Sequence, residues 1–172
     1  ALSTHVDGNR NIAIGYQAMS DTDAGSTADG SYDNIFMGYQ SGAGTWANAE
    51  SNYNVAIGNY SMGAAMNAAL NNTAVGHGSL KVLTQGDYNT AVGQNSLFAN
   101  TTGIKNTAVG SSALSSNSTG SNNTALGLSA LEQATGDDST AVGYQSGAAI
   151  TSGTKNVAIG KGCLLYTSPS PR

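Results

Sequence analysis

The sequence predicts an all-β fold, a parallel β-solenoid of about nine coils with a period near 17 residues. Three observations lead there. A five-residue motif (Asn, a β-branched residue, Ala, a large apolar residue, Gly) recurs along the chain. Its copies begin at Asn11, Asn34, Asn54, Asn72, Asn89, Asn106, Asn123, Ser139 and Asn156. The motif glycines, Gly15 to Gly160, lie 23, 20, 18, 17, 17, 17, 16 and 17 residues apart. That spacing is too short for a two-helix repeat and suits one coil of a solenoid. The composition agrees. Leu, Ile, Val and Phe make only 28 of 172 residues, while Gly supplies 23 and Asn 18. An ordinary large-cored globule needs more apolar side chains than that.

Each motif reads as one short strand. Alternate side chains of a strand face opposite ways, so positions two and four share a face. Position two is always Ile, Val or Thr, and position four is always large and apolar. Hydrophobicity assigns that face to the core. Positions one, three and five then share the other face as Asn, Ala and Gly, with Phe36 the one departure from Ala. Stacked asparagines can form amide ladders.

The second limb of each coil carries its own signature. Three residues after the motif glycine stands a small residue, Ala18, Ser41, Ser61, Ser79, Ser96, Ala113, Ala130, Ser146 or Cys163. The next is Met or Leu except at Gly42 and Gly147. This limb reads either as a second short strand or as a helical turn, the latter because residues 129–134 are good helix formers. Met62, Met66 and Leu70 fall at helical spacing and predict a short helix in the third coil. The first three coils carry longer insertions, within residues 16–71.

Each coil offers few large apolar side chains, so a second buried face is expected. An Ala column flanked by Asn and Gly predicts close approach of another surface, because each added methylene would clash. That surface is either the opposite limb of the same coil or a neighbouring subunit; the thin core favours a neighbour, which makes Ala74, Ala91, Ala108, Ala125 and Ala141 the candidate interface between subunits. Tyr32, Trp46, Tyr53 and Tyr60, carried by the insertions, either bind a ligand or cover the open end of the thin core, and they are the candidate ligand-binding residues.

The unit Asn-x-Ala-[Ile/Val]-Gly-x-x-[Ser/Ala], in nine tandem copies over roughly residues 8–162, resembles the head repeat of trimeric autotransporter adhesins, the YadA-like head. Similar repeats occur in phage tail-fibre-like surface proteins. The period here is longer than that of the head repeat. The resemblance implies a left-handed parallel β-roll, a homotrimer, and attachment outside the cell, at the bacterial surface or on a virion. It also implies a host-surface protein or glycan as the receptor.

Other classes are disfavoured on the residues. A formal charge of −4 argues against a nucleic-acid partner held by phosphate neutralisation. No apolar run approaches the length of a membrane span, so direct membrane insertion is not expected. A single Cys excludes an internal disulfide framework. His5 and His77 are the only histidines. The slot of His77 holds Tyr, Asn, Gln, Ser, Leu or Lys in other coils, so it reads as a variable surface position and no enzyme is expected. The run 21–25 with Asp29 and Asp33 lacks the full calcium-loop pattern and reads as a solvated acidic insertion. No cofactor or metal site is expected. A regular Thr column (Thr73, Thr90, Thr107, Thr124, Thr140) would suit ice binding if it were exposed, but it shares the face assigned to the core. Residues 163–172 hold both prolines and the Cys, and they read like a translated sequencing adapter on a metagenomic fragment. They are expected to lie outside the solenoid of residues 1–162.

Overall fold

The computed structural model describes residues 9–20, 30–46 and 49–164. Within them the nine motifs form nine three-residue strands: β1 (Ile12–Ile14), β2 (Ile35–Met37), β3 (Val55–Ile57), β4 (Thr73–Val75), β5 (Thr90–Val92), β6 (Thr107–Val109), β7 (Thr124–Leu126), β8 (Thr140–Val142) and β9 (Val157–Ile159). They make one sheet in sequence order, with every neighbouring pair parallel. The register never slips: Ala74 pairs with Ala91, Ala91 with Ala108, and Ala108 with Ala125. The chain is a parallel β-solenoid, as the repeat predicts.

The faces are the reverse of the hydrophobic expectation. Position three points inward, and Phe36, Ala56, Ala74, Ala91, Ala108, Ala125, Ala141 and Ala158 are fully buried. Positions two and four point outward: Val92 is 37% exposed, Val109 39% and Ile159 68%. The reason lies in the second limb. Met19, Met62, Leu80, Leu97, Leu114 and Leu131 cross the coil and fill its interior, all fully buried. Behind each strand the space between the limbs takes one methyl and one longer apolar side chain, and Met66, Leu83 and Ile150 join the core in the third, fourth and eighth coils.

The two coils without Leu or Met at that place support this account. A Cβ on Gly42 would lie 2.5 Å from Cδ1 of Phe36, the one residue that departs from the Ala column. The large ring from the strand thus occupies the space that Leu fills elsewhere. In the eighth coil a Cβ on Gly147 would meet Leu131 Cδ2 at 3.0 Å and Ile150 Cδ1 at 3.1 Å, so Ile150 supplies the missing volume.

The motif asparagines also lie inside. Asn34, Asn54, Asn72, Asn89 and Asn106 are fully buried, and their amides stack as a ladder. The Asn89 backbone N–H and Nδ2 both donate to Asn72 Oδ1, at 3.0 and 3.1 Å, while Nδ2 also donates to the Gly103 carbonyl at 2.9 Å. Each amide thus binds the coil before it and the turn that closes its own coil. Most buried polar groups in proteins are satisfied in this way. Ser139 replaces Asn in the eighth coil and keeps the chain of bonds. Its N–H donates to Asn123 Oδ1 and its Oγ accepts from the Asn156 N–H. A shorter second ladder joins Asn117 Nδ2 to Asn100 Oδ1 at 3.1 Å. It ends at Ala134, which has no amide to offer, and Asn117 Oδ1 has no partner among the described residues.

Among the described residues the second limb contains neither a strand nor a helix. Residues 129–134 and 62–70 form turns and irregular backbone, which corrects the helical expectations for both. Left-handed residues explain why. The residue before each motif Asn has positive φ, as at Tyr88 (φ 57°) and Lys105 (φ 56°). So does the core Leu or Met, as at Leu97 (φ 48°) and Leu114 (φ 52°). A left-handed residue with a Cβ costs roughly 1–2 kcal/mol. In return the Leu97 N–H reaches the Ala113 carbonyl at 3.0 Å and the Lys105 N–H reaches the Asp87 carbonyl at 2.9 Å, both in neighbouring coils. A helix would direct those donors back into its own coil.

The motif glycine marks the closest approach of successive coils. At Gly93 φ is +131°, and a Cβ would lie 2.6 Å from both the carbon and the oxygen of the Gly110 carbonyl. Cys163 continues the pattern of the small-residue column: its N–H donates to the Gly160 carbonyl, and its carbonyl accepts from the Gly147 N–H at 2.7 Å. Residues 165–172 lie outside the described residues.

The inward position three gives a direct test. Ala91→Val overfills the interior and should cost about 1–3 kcal/mol. Val92→Thr, one residue on and outward-facing, leaves the interior of the coil as it is and should cost less than Ala91→Val. Denaturant midpoints of the two variants read the difference, and the opposite ranking would mean that the faces are assigned wrongly.

Candidate binding surfaces

The reversal of the strand faces leaves an apolar sheet surface open along the stack. One column is Ile14, Met37, Ile57, Val75, Val92, Val109, Leu126, Val142 and Ile159; beside it runs the column of Ile, Val and Thr at position two. Both are half-buried or exposed throughout. Parallel strands are ordinarily covered on both faces. Here the inner face is covered by the second limb and the outer face by none of the described residues.

This geometry relocates the proposed subunit contact. Ala74, Ala91, Ala108, Ala125 and Ala141 have no exposed surface even in the single chain, so they cannot meet a neighbouring subunit. The surface that approaches them is the opposite limb of their own coil. Their small size records that intramolecular contact.

The aromatic candidates divide. Trp46 is fully buried and packs edge-on against Phe36, with ring centroids 5.6 Å apart and planes at 65°. It belongs to the core of the second coil and is unavailable to a ligand. Tyr60 joins a strip of rings on the corner after the motif glycines: Tyr16 stacks on Tyr39 at 5.3 Å, Tyr39 meets Tyr60 at 5.3 Å, and Tyr60 meets His77 at 5.7 Å. His77 is exposed and sits edge-on to that ring, as a surface position allows.

Tyr32 and Tyr53 belong to a different corner. Their rings meet at 5.3 Å and 85°, and the Tyr53 hydroxyl donates to the Tyr32 hydroxyl at 3.4 Å. That hydrogen bond, aided by partial burial, raises the Tyr53 phenol above its ordinary range. Arg10 closes the cluster. Its Nε and Nη2 donate to the two Asp33 oxygens at 2.6 and 2.7 Å, and its guanidinium carbon lies 5.6 Å from the centre of the Tyr32 ring. The ion pair joins the first coil to the second. Asp33 of the acidic insertion is therefore committed to a cation of the chain, while Asp21, Asp23 and Asp29 lie outside the described residues. Among the described residues no cluster of His, Cys, Asp and Glu could hold a metal ion, and no helix is long and apolar enough to cross a membrane.

Sequence reasoning missed a shallow groove on the second limb, between the fifth and sixth coils. Asn95 and Phe98 of one coil and Ser112, Ser115 and Ser116 of the next line it. The one available signal was Phe98 itself, since Ala43, Gly63, Ser115 and Ala148 hold its place in other coils.

Comparison of the chain with family models, curated proteins and solved structures gave no match.

The Arg10 pair has a measurable signature. The hydrogen bonds and charge of Arg10 hold the Asp33 carboxyl below its ordinary range. Such a depressed carboxylate supports the fold above its unfolded pKa and ceases to do so as pH falls through the folded value. Carboxyl-detected NMR should show Asp33 titrating below the model-peptide value of about 3.9, and returning toward it in Arg10→Gln. An unchanged midpoint in the variant would mean that the pair does not form in solution.

Proposed function

We propose that this chain is the structural and adhesive repeat region of an extracellular trimeric fibre, a non-catalytic attachment module of a bacterial surface adhesin. A phage tail-fibre shaft or receptor-binding segment is the alternative setting for the same architecture. The observation that supports the reading is the uncovered outer face of the sheet, with its uninterrupted column of Ile, Met, Val and Leu. Nine coils at about 4.8 Å each make that face roughly 40 Å long. Apolar surface of this extent on a soluble protein marks an interaction site.

Further copies of the same chain are the natural cover. Their faces have the same axial spacing, so an apolar side chain of every coil meets one at the same height on a neighbour. Three such faces closing on a common axis leave no copy unpaired and produce a rod. The repeat's resemblance to trimeric adhesin heads supports three in particular. The receptor, a host-surface protein or a glycan, would then be met by the limbs and corners that point away from the axis.

The parent chain should scatter light as a trimer at micromolar concentration. Val92→Glu with Val109→Glu, which places six carboxylates in the contact, should yield folded monomers. A parent that is monomeric at high micromolar concentration overturns the trimer, and a variant that stays trimeric moves the contact to another face.

One observation favours a second reading. The Thr column lies on the outer face, beside Val or Leu at position four, rather than in the core. The objection to an ice-binding array is thereby removed, provided that the face is free. Monomeric protein with thermal hysteresis that Thr107→Lys abolishes would establish that reading, and a trimer without hysteresis would exclude it.

A further inference from the structure

We propose that the groove between the fifth and sixth coils binds a pyranose unit of a glycan. The proposal deepens the attachment reading above by naming a ligand class and a place for it.

The groove measures about 470 Å³. Small-molecule sites commonly fall in the range of roughly 300–1,000 Å³, so one or two sugar rings fit. Its polar lining is an amide and three hydroxyls, from Asn95, Ser112, Ser115 and Ser116. Among the described residues none hydrogen-bonds these four side chains. The interior serines behave differently. The Ser96 hydroxyl donates to the Gly93 carbonyl at 3.0 Å, and that of Ser146 to the Ala158 carbonyl at 2.7 Å. The groove residues are thus polar groups that the fold itself does not use.

Their chemistry matches a polyol. A serine hydroxyl donates one hydrogen bond and accepts two, and an asparagine amide donates two and accepts two. A sugar hydroxyl likewise both donates and accepts, so mixed groups on two adjacent coils suit vicinal hydroxyls. None of the four carries a charge, so the floor of the groove suits hydroxyls, and Lys81 stands only at its edge.

Phe98 supplies the apolar wall. It stands half-exposed at a place where Ala43, Gly63 and Ala148 show that the fold requires no ring. The negative face of an aromatic ring attracts groups with positive edges. The axial C–H bonds of a pyranose present such an edge, whereas its hydroxyls lie around the rim. An aromatic wall beside convergent hydroxyls therefore reads both aspects of a sugar. Gly78 leaves room for the amide, since a Cβ there would lie 2.7 Å from Asn95 Oδ1. Lys81 stands at the edge of the site, its ammonium 5.4 Å from the centres of both the Phe98 and Tyr60 rings. It can meet the carboxylate of an acidic sugar, which would then bind more tightly than its neutral counterpart.

Saturation-transfer NMR on the full chain, with the methyl glycosides of glucose, galactose, N-acetylglucosamine and glucuronic acid, tests the site. At least one glycoside should receive saturation, strongest at its ring C–H protons, and isotope-edited spectra should shift at Asn95, Ser115 and Ser116. Phe98→Ala and the groove-filling Ser116→Trp should each weaken binding by roughly tenfold or more. Phe98→Tyr, which keeps a ring, should retain it. Preference for the glucuronide that Lys81→Gln removes would assign the acidic class, and equal binding of the neutral sugars would assign the neutral one. Absence of transfer to all four glycosides overturns the proposal, as does binding unchanged in both Phe98→Ala and Ser116→Trp. Dispersed amide spectra of each variant exclude misfolding as the cause of lost binding. Light scattering on the same samples reports the trimer separately, so either reading can fail without the other.

Discussion

Hydrogen bonding along the stack is the constraint on which the rest of the structure depends. Strands of three residues have little stability of their own, and each becomes a strand because its neighbours hold it on both sides. The turns obey the same rule. Their left-handed residues direct N–H groups along the axis, as Tyr88 does toward Leu70 and Asn122 toward Ile104. A coil that satisfies its backbone through its neighbours must keep their register, and register fixes the rest. Asn sits over Asn, Ala over Ala, and Gly over Gly, with each side chain chosen to tolerate its own kind at one coil's distance.

That requirement makes the coil thin. Two limbs joined by tight turns leave an interior one small and one longer side chain wide. Where the strand side grows, the other side shrinks, and Phe36 with Gly42 is the clear case. Where the second limb shrinks alone, Ile150 enters beside Gly147. Close packing of protein interiors demands this exchange of volume. The buried amides follow from the same geometry. A coil this narrow brings each Asn within reach of both its predecessor's amide and a turn carbonyl, so polar side chains can be interior without loss of hydrogen bonds.

The surface divides along the same lines into a regular and a variable part. The outer face of the strands is uniform from coil to coil and apolar, as suits contact with another straight surface of equal spacing. The corners and the second limb vary from coil to coil, and there the aromatic strip, the Arg10–Asp33 pair and the Phe98 groove are found. In the fibre we propose, the regular face would serve assembly and the irregular ones recognition.

The sequence by itself determined the repeat, the coil count, the parallel and in-register stacking, and the need for Gly and Asn in their columns. Those features are periodic, and a period survives translation along a stack without reference to any particular fold. Direction was legible for the same reason, since copies in series joined by short connections must run the same way. The inside and the outside were not legible. Hydrophobicity placed Val92 and Val109 in the core and Ala91 and Ala108 outside, because larger apolar residues are usually the buried ones. That rule presumes a core with room for them, and only the tertiary structure shows that Leu97 and Leu114 already fill this one from the other limb. Trp46 was misplaced likewise: its burial depends on the space beside Phe36, which no local pattern reveals. The helix expected at residues 62–70 and the short strand or helical turn expected at 129–134 failed because stacking uses their backbone donors along the axis, a competition that local propensity does not register. Which face is covered, and by what, is a property of how two limbs meet across a coil, and only the folded chain decides it.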